Sequence, residues 1–139
     1  AGVLVERYAA LIDQPAERLV RFSRAYANPA VLTDEVYRAY IEPLVATAQR
    51  RHDFHRYWMA FDNTHTRAVE SKLRELRVPV LVVWALDDVF FDVKWAHWLA
   101  DTLPGARPPV TVPEAKLFFP EDRPQALLEP LWDFLWANG

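Results

Sequence analysis

Cysteine is absent from the 139-residue sequence. Its absence excludes disulfides, thiolate metal sites and cysteine nucleophiles, and it is typical of a cytoplasmic protein. Glycine is nearly as scarce, with only Gly2, Gly105 and Gly139. Loops that cradle phosphate groups need several glycines, so the G-x-G-x-x-G and G-x-x-x-x-G-K patterns are excluded. The same scarcity excludes the G-x-S-x-G turn that presents a nucleophilic serine.

Long hydrophobic runs and a basic surface pattern are also missing. No apolar run approaches the roughly 18 residues that a membrane span needs, and the N-terminus lacks the basic start of a signal peptide. The net charge is −3 without a basic stripe, so we expect neither membrane insertion nor nucleic-acid binding. Hydrophobic residues make up 52% of the chain, which is enough for a folded core and argues against disorder.

The residue pattern divides the chain into two regions, 1–77 and 78–139. In the first region apolar residues recur at helical spacing, which predicts a region made of several helices. Thr33 is a predicted helix N-cap, and Asp34 and Glu35 in the next turn favour the helix dipole.

The second region begins with an apolar run at 78–84 that is rich in β-branched residues. Such a run predicts a strand buried on both faces, as in parallel sheets. Asp92 is a predicted cap of the next helix, 110–113 predicts a second strand, and a final helix begins near Arg123. The fold class expected is therefore α/β. Two strands make a poor independent sheet, so we expect the chain to be part of something larger.

Residues 73–124 resemble the C-terminal segment of the α/β-hydrolase superfamily, in the branch of haloalkane dehalogenases and epoxide hydrolases. The resemblance is carried by LRELRVPVLVVWALDDVFFDVKWAHWLADTLPGA and by VTVPEAKLFFPEDRP. It implies that region 1–77 is similar to the helical cap of that family. It also implies that region 78–139 is the last β-α-β-α portion of an α/β-hydrolase parallel sheet.

The resemblance places a catalytic acid at the end of the first strand. In this family the strand ends in a W-G-x-x-D-type turn, and the matching residues here are Trp84-Ala85-Leu86-Asp87-Asp88. Asp88 falls on the position of the acid that orients the catalytic histidine, and Asp87 takes that position if the register shifts by one. The histidine itself is missing, because Leu117 or Lys116 occupies its position.

The histidines and aromatic residues allow more than one interpretation. His52 and His55 are three residues apart and either bind a metal or belong to a solvated helix surface, and we favour the surface. Trp58 and Phe61 belong to an aromatic cluster that lines an apolar substrate pocket, forms core or is a surface that contacts a partner, and we favour core. Phe90 and Phe91 follow the acid and are candidates for the same substrate contact.

The function implied by the resemblance is hydrolysis of an ester, epoxide or carbon–halogen bond in a small apolar substrate, with neither cofactor nor metal. An activated Ser or Asp nucleophile would have to come from a missing N-terminal half or from a second chain. The alternative is a non-catalytic hydrolase-like module for binding or assembly, because the family histidine is absent. A third hypothesis is a homo-oligomer in which a second copy of the chain completes the fold.

Overall fold

The structure is a computed structural model that describes residues 2–139. The chain folds into two compact units. The first unit contains the described residues up to Phe22 together with Pro29–Asn63, and the second contains Ser23–Asn28 together with Thr64–Gly139. The change of sequence pattern at residues 77 and 78 therefore lies inside the second unit.

The first unit is entirely helical. Its α-helices and 3₁₀ helices run in chain order as α1 (Gly2–Ala10), a 3₁₀ turn (Leu11–Asp13), α2 (Pro15–Phe22), a second 3₁₀ turn (Pro29–Val31), α3 (Asp34–Val45) and α4 (Ala48–Met59). Threonines cap α3 and α4, the two longest helices of this unit. The Thr33 hydroxyl accepts a hydrogen bond from the Val36 amide at 3.3 Å, and the Thr47 hydroxyl accepts one from the Arg50 amide at 3.2 Å. The Thr33 cap confirms the prediction from sequence.

Helices α1, α3 and α4 pack around one apolar core. Its fully buried members are Val5, Leu11, Tyr37, Ile41 and Val45. Arg18 is also buried, and its guanidinium is neutralised by an ion pair with Asp34. A buried charge of this kind is tolerated because it is paired and hydrogen-bonded.

The second unit contains five helices and both strands of the described chain. They run as α5 (Thr64–Ala68), α6 (Glu70–Leu73), β1 (Val83–Ala85), α7 (Lys94–Thr102), β2 (Val110–Val112), α8 (Phe119–Asp122) and α9 (Pro124–Asn138). The strands are parallel, with Val83 opposite Val110 and Ala85 opposite Val112. Their buried faces pack with Ala115 and Phe119.

The expected α/β fold class is wrong. The described residues are mostly helical, and β1 and β2 form a two-stranded sheet rather than part of an α/β-hydrolase sheet. The strand expected at 78–84 shrinks to Val83–Ala85, preceded by one isolated bridge between Val80 and Ala106. Prolines give a physical reason, because Pro79 lacks an amide donor for a longer ladder and Pro113 follows β2 directly.

Gly105 allows two backbone segments of the second unit to approach closely. An added Cβ at this position would lie 1.8 Å from the Val78 carbonyl oxygen. The Val80 amide donates to the Gly105 carbonyl at 2.9 Å, which fixes the approach to β1. None of the helices formed by residues 2–139 is long and apolar enough to cross a membrane.

Candidate functional site: the Asp88 turn

The backbone after β1 is tied to the segment after β2. The Leu86 amide donates to the Val112 carbonyl at 2.9 Å, and the Asp87 amide donates to the Ala115 carbonyl at 2.9 Å. These bonds hold the first two residues of the turn at the carboxyl end of the parallel strands. That end is where parallel sheets usually carry their functional groups.

Asp88 organises the turn through one carboxylate oxygen. Its Oδ1 accepts hydrogen bonds from the Phe90 amide at 2.8 Å and the Phe91 amide at 3.1 Å. The other oxygen, Oδ2, accepts no hydrogen bond from any residue in 2–139. Asp88 is half-buried, whereas Asp87 is exposed. The geometry therefore fixes the Asp88 carboxylate and leaves one of its oxygens available to a donor.

A hydrogen bond from the Trp84 side chain stabilises the end of the same turn at Phe91. The Trp84 indole Nε1 donates to the Phe91 carbonyl at 3.0 Å. Phe90 and Phe91 remain about half exposed, at 50% and 52%. The Arg24 guanidinium lies 5.5 Å from the centre of the Phe90 ring, within the range of a cation–π contact.

Lys116 or Leu117 occupies the position that the resemblance gives to the catalytic histidine, and the Lys116 side chain makes a structural contact there. The Lys116 ammonium donates to the Ser23 carbonyl at 2.5 Å and is partly buried. Leu117 is partly buried as well and carries no titratable group. Because the Lys116 ammonium is held by a carbonyl, the structure gives this side chain the role of a clamp rather than a base.

Ser23–Asn28 forms an inserted segment within the second unit, and the sequence did not predict it. The Phe118 amide donates to the Ala25 carbonyl at 2.9 Å, and the Tyr26 hydroxyl donates to Glu121 Oε2 at 2.9 Å. The Tyr26 and Phe118 rings lie 5.0 Å apart. No local sequence pattern reveals partners more than ninety residues away.

The histidines do not complete the Asp88 turn. His97 is exposed on α7, and within residues 2–139 no histidine is hydrogen-bonded to Asp88. His52 Nδ1 lies 3.7 Å from Asp53 Oδ1 on the exposed surface of α4. His55 Nδ1 is buried and has no hydrogen-bond partner among the residues that the structure describes. The described part of the chain contains no group of three or more side chains placed to hold a metal ion.

The aromatic candidates fall in different units. Trp58 and Phe61 lie in the first unit, with ring centres 6.2 Å apart, and Trp58 also lies 6.3 Å from Phe54. Phe90 and Phe91 lie in the second unit beside Asp88. The structure therefore brings Phe90 and Phe91 to the Asp88 turn and places Trp58 and Phe61 in a separate aromatic cluster on α4 and the residues after it.

Comparison with known proteins adds no relative: no family model, curated protein or solved structure matches the chain. The resemblance to α/β-hydrolases therefore rests on the residues of 73–124 alone.

Proposed function

We propose that the chain contributes Asp88 as the acid of a hydrolytic triad. In this role Asp88 Oδ2 accepts the N–H of a histidine that residues 1–139 do not supply at this turn. The imidazole then takes a proton either from a serine nucleophile of the completing segment or chain, or, where the nucleophile is an aspartate, from the water that hydrolyses the covalent intermediate. The substrate class is a small apolar ester, epoxide or haloalkane, as the family resemblance implies.

The observation that carries this proposal is the unequal use of the two Asp88 oxygens. Oδ1 is saturated by the Phe90 and Phe91 amides, which fixes the carboxylate plane. Oδ2 is left for one further donor, which is what an acid that orients an imidazole requires. Asp87 is exposed and forms no side-chain hydrogen bond with another described residue, so Asp88 is the better candidate of the two.

Phe90 and Phe91 provide the apolar contacts that we propose for the substrate next to the acid. They are exposed, their amides donate to Asp88, and the Phe91 carbonyl accepts a hydrogen bond from the Trp84 indole. Trp58 and Phe61 are proposed substrate contacts on the strength of the sequence pattern alone. As part of the same proposal we place the protein in the cytoplasm, because its sequence contains no cysteine.

The experiment is a hydrolysis assay on the full natural polypeptide or complex that contains this chain. The substrates are p-nitrophenyl acetate, styrene oxide and 1-bromobutane, one for each bond class. We expect turnover of at least one substrate, with loss of activity in Asp88→Ala and retention in Asp87→Ala. Turnover that survives Asp88→Ala, or its absence with all three substrates, would contradict the proposal.

The second candidate function is a non-catalytic module for binding or assembly. It is favoured by the exposed apolar face of α9, where Trp132 and Trp136 are 57% and 82% exposed. Exposed apolar patches of this kind mark protein–protein contacts. The completing partner is a second copy of the chain or another polypeptide. Absence of turnover, together with self-association that Trp132→Ala and Trp136→Ala abolish in sedimentation experiments, would support this function over hydrolysis.

A further inference from the structure

A cleft in the first unit lies between the end of α3 and one side of α4, from Gln49 to Tyr57. Its volume is about 700 Å³, within the range of about 300–1,000 Å³ typical of small-molecule sites. Leu44, Phe54 and Tyr57 form apolar and aromatic parts of its wall. Phe54 is partly buried against the core of this unit, so one wall of the cleft is fixed by packing.

The charged groups in the cleft are one arginine and one aspartate. Asp53 Oδ1 accepts a hydrogen bond from Gln49 Nε2 at 2.9 Å, and both residues line the cleft. The Arg50 guanidinium also lines it and forms neither an ion pair nor a hydrogen bond with any residue that the structure describes. The cleft therefore combines aromatic walls with one cation whose donors are unused.

We propose that this cleft binds a small aromatic carboxylate. The aromatic ring packs against Phe54 and Tyr57, and the carboxylate receives paired hydrogen bonds from Arg50, whose planar guanidinium matches that shape. A single negative charge is preferred over the double charge of a phosphate monoester, because Asp53 lies in the same cleft and repels anions. Binding in this cleft does not depend on the hydrolytic role of Asp88.

The test is a calorimetric titration of the full chain with 2-naphthoate, and with 2-naphthamide and phenyl phosphate as comparison ligands. We expect 2-naphthoate to bind about tenfold or more tightly than the neutral amide, since the carboxylate gains charge-assisted hydrogen bonds. Phenyl phosphate is expected to bind more weakly than 2-naphthoate. Equal binding of amide and acid, tighter binding of phenyl phosphate, or no binding of 2-naphthoate would each overturn the proposal.

Arg56 offers a matched control on the same helix. Like Arg50 it is exposed and has no ion-pair partner among residues 2–139, but it does not line the cleft. We expect Arg50→Gln to weaken 2-naphthoate binding about tenfold and Arg56→Gln to leave it nearly unchanged. Equal losses in the two variants would show a non-specific charge effect and refute the site.

Three further variants test the aromatic wall of the cleft and the repulsion by Asp53. Tyr57→Ala is expected to weaken 2-naphthoate binding, whereas Met59→Ala is not, since Met59 is 67% exposed and lies outside the cleft. Asp53→Asn is expected to strengthen 2-naphthoate binding by removing a like charge. Weaker binding in Asp53→Asn, or a loss in Met59→Ala equal to that in Tyr57→Ala, would contradict the placement of the ligand. All these variants change exposed side chains, so folding is expected to survive them.

Discussion

Replacing Tyr37 by Phe removes a single buried hydroxyl from the core of the first unit. Tyr37 is 1% exposed, and its hydroxyl donates to the Tyr8 carbonyl at 3.1 Å. Its ring packs edge-on against Phe22, with centres 5.8 Å apart, and the Arg18 guanidinium lies 5.0 Å above it. Phenylalanine keeps these ring contacts, so the substitution isolates the hydroxyl.

Below pH 10 the variant is expected to be less stable by about 1–2 kcal/mol, the usual contribution of one buried hydrogen bond plus an acceptor left unpaired. The Tyr8 carbonyl lies in the last turn of α1, where helix carbonyls lack partners within the helix. The loss therefore falls on a group that the helix cannot satisfy by itself.

The pH dependence adds a second, opposite effect. Burial raises the pKa of Tyr37 from 10.0 to about 12, and Tyr8 adds to the rise. The neutral form of Tyr37 is therefore favoured in the folded state. The contribution of this preference to the free energy of unfolding is complete below pH 10 and is lost as pH rises toward 12. A pKa difference of that size corresponds to a change of about 3 kcal/mol in the free energy of unfolding. Because Phe cannot ionise, the stability curves of the two proteins should cross between pH 10 and 12.

The assay is urea unfolding followed by far-UV circular dichroism across that pH range, with Tyr57→Phe as the control. Tyr57 is 60% exposed, so the control should track the wild type throughout. A wild-type advantage that stays constant with pH would refute the reasoning about burial, and a Tyr37→Phe variant as stable as wild type at neutral pH would refute the hydrogen-bond argument.

Three further substitutions test separate parts of the fold through the free energy of urea unfolding. Gly105→Ala should destabilise by more than about 2 kcal/mol, because the added Cβ meets the Val78 carbonyl oxygen at 1.8 Å; a neutral effect would contradict the close approach. Thr33→Ala should cost about 1 kcal/mol through loss of the α3 cap, and Thr33→Ser should restore it. Lys116→Met should cost about 1.5 kcal/mol, since it removes the ammonium that donates to Ser23; no loss would show that the clamp is unimportant.

Local features of the fold were predictable where neighbouring residues determine them. The Thr33 cap follows from a hydroxyl placed before two acids at the start of a helical pattern. The strand predicted at 78–84 is longer than the one observed. The apolar pattern of these residues does not show how Pro79 limits the ladder of hydrogen bonds or how long the partner strand is. Val83–Ala85 pairs with the three residues of β2 and stops there.

The candidate site was likewise predictable only in part from the sequence. The position of Asp88 at the end of the first strand could be predicted from the residue order of 84–88. The split between its two oxygens could not, because it depends on how the chain turns to bring the Phe90 and Phe91 amides to Oδ1. The contact between Lys116 and Ser23 was equally hidden, since it joins residues separated by most of the chain.

Asp88→Asn is the most direct test of the proposed acid. Asparagine keeps a carbonyl oxygen for the Phe90 and Phe91 amides, so the turn is expected to persist, but it places an amide group where Oδ2 would accept the imidazole N–H. We predict unchanged urea unfolding and a rate of p-nitrophenyl acetate hydrolysis that falls by about a thousandfold or more, with Asp87→Asn close to wild type. Hydrolysis by Asp88→Asn at the wild-type rate would contradict the account.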